Sequence, residues 1–286
     1  MPDLFNAVVE YAFMRNAMIA GLLAAVACGV VGSFVVARRI TYVAGGIAHS
    51  VLGGMGVAGY LAAVHNWDAV TPLYGAIVAA LLSAVVIGWV TLRARQREDT
   101  IIGAVWAVGM ATGILFISQT PGYNQELMSY LFGNILMVSD SDLSVLLGLD
   151  LLIVALTLLL YNRFLAVCFD AEFARVRGIR VEVYYILLLC LAALTVVVLV
   201  TVVGVVLVIA LLTLPAAVAG LFSRTFRQMM IGAVAFCIFF IIAGLAVSYE
   251  TNFPAGATIV LIAGLSYVLA IVVRWLIRRH RNPVSN

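Results

Sequence analysis

Forty consecutive residues, Val183–Phe222, pass without a single Asp, Glu, Lys or Arg. A membrane-spanning helix takes about 20 residues, so this run is long enough for two spans, joined by a turn near Thr201–Gly204. The same criterion applied along the chain gives spans at Asn16–Ala37, Ile40–Ala63, Thr71–Leu92, Ile101–Ser118 and Leu143–Tyr161. It then gives Val183–Val200, Val205–Phe222, Gln228–Ser248 and Ala257–Ile277. The fold class this predicts is all-α, a polytopic membrane helical bundle of about nine transmembrane helices, or eight if one run is miscounted. Composition agrees: 10% of residues are charged, against about 25% in a soluble domain. Pro215 is expected to kink the seventh span or to end its regular part. Met1–Asn16 contains Asp3 and Glu10 and lacks a basic segment, so no cleavable signal peptide is expected.

All sixteen basic residues are arginines, and there is no lysine. A phosphate-binding P-loop needs its lysine, so this chain is expected to be no enzyme of ATP hydrolysis. A formal charge of only +3 gives no reason to expect a nucleic-acid partner. The arginines mark orientation. Arg38/39, Arg93/95/97, Arg163/175/177/180, Arg224/227 and Arg278/279/281 fall on alternate loops. The intervening loops carry His65, Asp68, Glu126, Asp140, Asp142 and Glu250 but no arginine. The positive-inside rule then places the N-terminus outside and the C-terminus in the cytoplasm.

Within the second span, His49 is an isolated titratable ring about 14 Å past Ile40, close to the midplane of a core about 30 Å thick. Such a group is costly against lipid and is expected to face a cavity or another helix. Gly45, His49, Gly53 and Gly56 share one stripe, and glycines there give either close backbone approach or open space for a permeation path. A histidine merely hydrogen-bonded between packed helices is the bland alternative. Asp150, about eight residues into the fifth span, is the second ionisable group within the membrane. It reads as a ligand or gate, or as a carboxylate satisfied near the outer interface. The cysteines Cys28, Cys168, Cys190 and Cys237 form no metal-binding spacing and read as packing thiols.

Two segments lie outside the spans. Residues 119–142 include the Pro121-Gly122 turn and a short half-buried helix over Glu126–Val138, an outer re-entrant or interfacial segment. Residues 169–182 place Asp170 and Glu172 first, Arg175 and Arg177 next, and Gly178 last. Acids at the start and bases at the end match the helix dipole, and Gly178 ends the helix. Phe169, Phe173 and Val176 share a face. This segment reads either as a solvated connector or as a docking helix for a cytoplasmic partner.

Taken together, Gly32-Ser33-Phe34-Val35-Val36 with Arg38-Arg39, Ile47-Ala48-His49-Ser50 and Leu131-Phe132-Gly133-Asn134 resemble the permease subunit of the zinc/manganese class of ABC importers. Asp170 through Gly178, Leu211-Leu212-Thr213-Leu214-Pro215-Ala216-Ala217 and Pro254-Ala255-Gly256 extend the resemblance in the expected order. It implies that residues 1–286 form one transmembrane permease domain in the cytoplasmic (inner) membrane of a prokaryote. It further implies a permease homodimer, a separate cytoplasmic ABC ATPase subunit docked at Asp170, Glu172, Arg175 and Gly178, and an extracytoplasmic metal-binding protein. The cargo it implies is a divalent transition metal ion, zinc first and manganese or iron next, with no permanently bound cofactor.

Members of that class usually carry an aspartate four residues before the histidine, and this chain has Gly45 there. The candidate metal ligands are therefore His49 with Asp150 or Glu126 supplying the missing oxygen. Alternatively, the path is tuned to a softer or more weakly held metal, or the substrate is not a bare ion. A siderophore or cobalamin permease and a self-contained channel or proton-coupled carrier are the alternative functions.

Overall fold

The computed structural model describes residues 9–65, 67, 70–93, 97–120, 138–205 and 208–281. Glu126 and most of the expected outer segment lie outside the described residues. The described chain is helical, in the order α1 (Ala12–Arg38), α2 (Thr41–His65), α3 (Pro72–Arg93), α4 (Glu98–Gln119) and α5 (Asp140–Leu159). There follow α6 (Tyr161–Phe169), α7 (Ala171–Val176), α8 (Val181–Val203), α9 (Val208–Phe222), α10 (Phe226–Thr251) and α11 (Ala255–Arg281). Among the described residues, eight helices are long and apolar enough to cross a membrane: α1 to α5, α8, α10 and α11. α9 is apolar but only 15 residues long, about 22 Å at 1.5 Å per residue.

The break inside the forty-residue apolar run falls where it is expected. α8 ends at Gly204, whose φ of 80° suits a residue without a Cβ. Pro215 stays inside α9 rather than ending it. Most of the helices outrun the apolar segments read from the sequence because caps, not hydropathy, set their ends. Ser139 caps α5, its hydroxyl accepting from the Asp142 amide while the Asp142 carboxylate accepts from the Ser139 amide. Thr225 caps α10 by accepting from the Gln228 amide. Arg39, at φ 62°, turns the chain from α1 into α2, and its amide reaches back to the Val36 carbonyl.

Packing divides the helices into two neighbourhoods. α2 lies between α3 and α4, while α1 is surrounded by α10, α9, α5 and α8. α8 packs on both α3 and α1 and so links them. Lipid tails are as apolar as leucine, so such contacts depend on small residues that let backbones approach. α1 supplies Ala17, Ala20, Ala24, Ala25 and Ala27, all fully buried. Its glycines let other helices lean directly on it. A Cβ at Gly32 would stand 2.3 Å from the Leu212 carbonyl oxygen of α9, and one at Gly29 would stand 2.4 Å from the Val234 nitrogen of α10.

The link between α5 and α8 is made of two short helices. α6 buries Phe164, Val167 and Cys168. Phe34 of α1 is fully buried, with its ring 6.1 Å from Tyr161, 5.9 Å from Phe164 and 4.7 Å from Phe226. This aromatic cluster ties α1, α6 and α10 together beside the Arg38–Arg39 turn.

Candidate functional site

Glycine sets the geometry of α2 on both sides. Toward α4, a Cβ at Gly53 would stand 2.6 Å from the Gly109 carbonyl oxygen, and one at Gly56 would stand 2.9 Å from that of Gly113. Toward α3, Gly54 meets the backbone of Gly75. Of the two uses open to the stripe, Gly53 and Gly56 serve close backbone approach. Ser50 extends the α3 side, where its hydroxyl pairs with that of Ser83, which itself donates to the Ala79 carbonyl.

His49 stands on this tightly held helix. Its imidazole lies flat on the indole of Trp106 from α4, with ring centroids 4.3 Å apart and planes 15° from parallel. The His49 Nδ1 is buried and has no hydrogen-bond partner among the described residues. The bland reading of the sequence, an imidazole hydrogen-bonded between packed helices, finds no support at this atom. Gly45, one turn earlier, is buried, and the space beside it belongs to Trp106 and to Ile209 of α9.

Asp150 is 5% exposed, and its Oδ1 has no hydrogen-bond partner among the described residues. It belongs to α5, which packs on α1, and its carboxyl group faces the backbone at Ala27. His49 and Asp150 thus occupy different helix contacts, α2 on α4 and α5 on α1. The described residues hold no group of three or more His, Cys, Asp or Glu side chains that could bind a metal together. The cysteines are free. Cys28, Cys168 and Cys237 are buried, Cys190 is half-buried, and the Cys28 thiol donates to the Leu211 carbonyl.

The segment after α6 follows its sequence pattern closely. The Asp170 carboxylate caps α7 by accepting from the Phe173 amide at 2.9 Å. Gly178 ends it at φ 77°, with the Ile179 amide returning to the Ala174 carbonyl. Arg175 reaches Glu182 at 2.9 Å across the turn, and both side chains are exposed. Phe169, Phe173 and Val176 form an exposed apolar face. The Phe169 ring also touches the aromatic cluster, 6.0 Å from Phe226.

Trp106 is the residue that sequence reasoning missed. Its signal was its depth. It lies about 12 Å into α4 at 1.5 Å per residue, away from the interfacial belt where membrane tryptophans concentrate.

Comparison with known proteins finds relatives that match nearly the whole chain. A protein of Chlamydia pneumoniae named a probable metal transport system membrane protein is 41% identical over 90% of this chain and 87% of its own length. The manganese transport system membrane protein MntC of Halalkalibacterium halodurans is 33% identical over 93% of this chain and 89% of its own. Among solved structures, PsaBC from Streptococcus pneumoniae in complex with Fab superposes with a TM-score of 0.84 at 29% identity, covering 94% of both chains. The ABC 3 transport family matches residues 10–274. This chain, a multi-pass membrane protein, belongs to the ABC 3 transport family and is a metal transport permease.

Proposed function

We propose that the chain is the permease subunit of an ATP-driven importer that carries a divalent transition metal ion, zinc first, across the cytoplasmic membrane of a prokaryote by alternating access. The observation that carries this reading is His49, an imidazole within a span whose buried Nδ1 has no partner among the described residues. A neutral imidazole nitrogen is a common ligand for transition metals, and an imidazolium is not, so acidification weakens capture. His49 is the proposed nitrogen ligand. Asp150, on a different helix contact, and Glu126 are the proposed oxygen ligands met elsewhere along the path, while Gly45, Gly53 and Gly56 let neighbouring helices close on the helix that presents His49 to it.

Two copies of the chain form the path, with N-termini outside and C-termini in the cytoplasm. α9 completes the ninth crossing, which keeps Arg224 and Arg227 on the same side as the other arginines. An extracytoplasmic metal-binding protein delivers the ion. A separate ATPase docks on α7, where Asp170, Glu172, Arg175 and Gly178 shape a short capped helix with an exposed apolar face. The aromatic cluster around Phe34 carries closure of the ATPase into α1 and α10.

Manganese is the second reading, favoured by the relative from Halalkalibacterium halodurans, a manganese transport system membrane protein. Uptake of radiolabelled zinc and manganese by cells expressing the chain with its ATPase and binding protein tests both. Zinc uptake that exceeds manganese uptake and needs an intact ATPase supports the first reading. The reverse order supports the second. Uptake of neither metal by an assembled, ATP-hydrolysing complex defeats both.

A further inference from the structure

Residues four apart on a helix lie one above the other, so the Cβ direction of Gly45 is where a second side chain of α2 would reach an ion held by His49. That direction is filled. A Cβ at Gly45 would stand 2.7 Å from Ile209 Cδ1 and 3.2 Å from Trp106 Cζ3. The same Trp106 indole covers one face of the His49 ring at 4.3 Å. Two side chains therefore close the position, Ile209 the nearer, and one of them, Trp106, also shields the imidazole. The indole is also firmly placed. Its helix is held against α2 by Gly53 on Gly109 and by Gly56 on Gly113, and Gly46 sits against Ile102 one turn away.

Resting on the metal-permease reading above, we propose that Trp106 is a specificity-determining residue of the path. With Gly45 and the indole in place, α2 offers an arriving ion one nitrogen ligand and no carboxylate beside it. Imidazole suits zinc, iron and copper, whereas manganese favours carboxylate, carbonyl and water oxygen. The Trp106–Gly45 pairing thus biases the path toward ions that accept a lone imidazole and against manganese. Any oxygen ligand must come from another element or from water.

The test compares uptake of radiolabelled zinc and manganese through the complete importer in wild type, Trp106→Phe, and the double variant Gly45→Asp with Trp106→Ala. Trp106→Phe keeps a flat ring over His49 and should hold the wild-type zinc-to-manganese ratio. The double variant removes the indole and adds a carboxylate, for which the flexible end of Ile209 must also swing aside, and should shift the ratio toward manganese by about tenfold, the low end of what altering the support of a metal site does. A double variant that transports with an unchanged ratio overturns the role of Trp106 and leaves the importer reading standing. A wild type that moves neither metal defeats the importer reading and this role with it.

A second readout needs no transport. The chain has four tryptophans, and Trp67, Trp89 and Trp275 are all exposed, so replacing those three with Phe leaves Trp106 as the sole indole. Added zinc chloride should change the emission of Trp106 in the detergent-purified protein more strongly than manganese chloride does. His49→Ala in the same background should abolish the response. Equal responses to the two metals, or a response that survives loss of His49, would overturn the proposal.

Discussion

Gly54 of α2 and Gly75 of α3 face each other so closely that a Cβ on either would stand 2.2 Å from the carbonyl oxygen of the other. Neither backbone can yield without separating the two helices. Gly54→Ala or Gly75→Ala should therefore destabilise the bundle by about 1–3 kcal/mol, the usual cost of overpacking a tight core. Gly148 has nothing within 4 Å of its Cβ position. Gly148→Ala in α5 should be neutral or slightly stabilising, since alanine favours helix over glycine by about 1 kcal/mol. Thermal stability of the detergent-purified protein, followed by loss of the monodisperse peak, checks both.

The cap on α7 gives a separate prediction. Asp170→Ala leaves the Phe173 amide without its partner and should cost about 1 kcal/mol of local helix stability. With the docking helix frayed, metal-driven ATP hydrolysis and uptake should fall together while the transmembrane bundle melts as before. Asp170→Asn retains the capping oxygen and should retain activity. Glu182→Gln should matter little, because an exposed pair such as Arg175–Glu182 contributes at most about 1 kcal/mol. Measured coupling of ATP hydrolysis to uptake in proteoliposomes separates these cases.

Asp150 can be tested against a structural role. A buried carboxylate oxygen without a partner is a cost to folding rather than a support. Asp150→Asn should accordingly melt no lower than wild type, yet transport less metal. A melting temperature lowered by several degrees would instead mark Asp150 as part of the packing between α5 and α1.

How much of this was legible in the sequence depends on the range of the signal. The spans were legible because an apolar run near 20 residues is a local property. The capped helix at Asp170–Gly178 was legible because cap, dipole and stop signals lie within ten residues. The ends of α4, α10 and α11 were not. Hydropathy reports where a helix meets lipid, whereas these helices continue into Glu98, Thr251 and Arg281. α6 was not legible because Asn162 and Arg163 interrupt the apolar pattern around the buried side chains Phe164 and Val167. At the site, Gly45 was recognisable as an odd residue beside His49. Its reason was not, because Trp106 lies 57 positions away from His49 and the contact arises only when α2 and α4 pack.

In the proposed mechanism His49 lies on the path of the metal. This placement is tested most directly by ATP-dependent zinc uptake into proteoliposomes holding the permease, its ATPase and zinc-loaded binding protein, with wild type set against His49→Ala. The variant should assemble, melt within a few degrees of wild type and hydrolyse ATP, while zinc uptake falls by at least about tenfold, in keeping with the loss of a group supporting a metal site. Wild-type uptake by a properly assembled His49→Ala complex would contradict that placement.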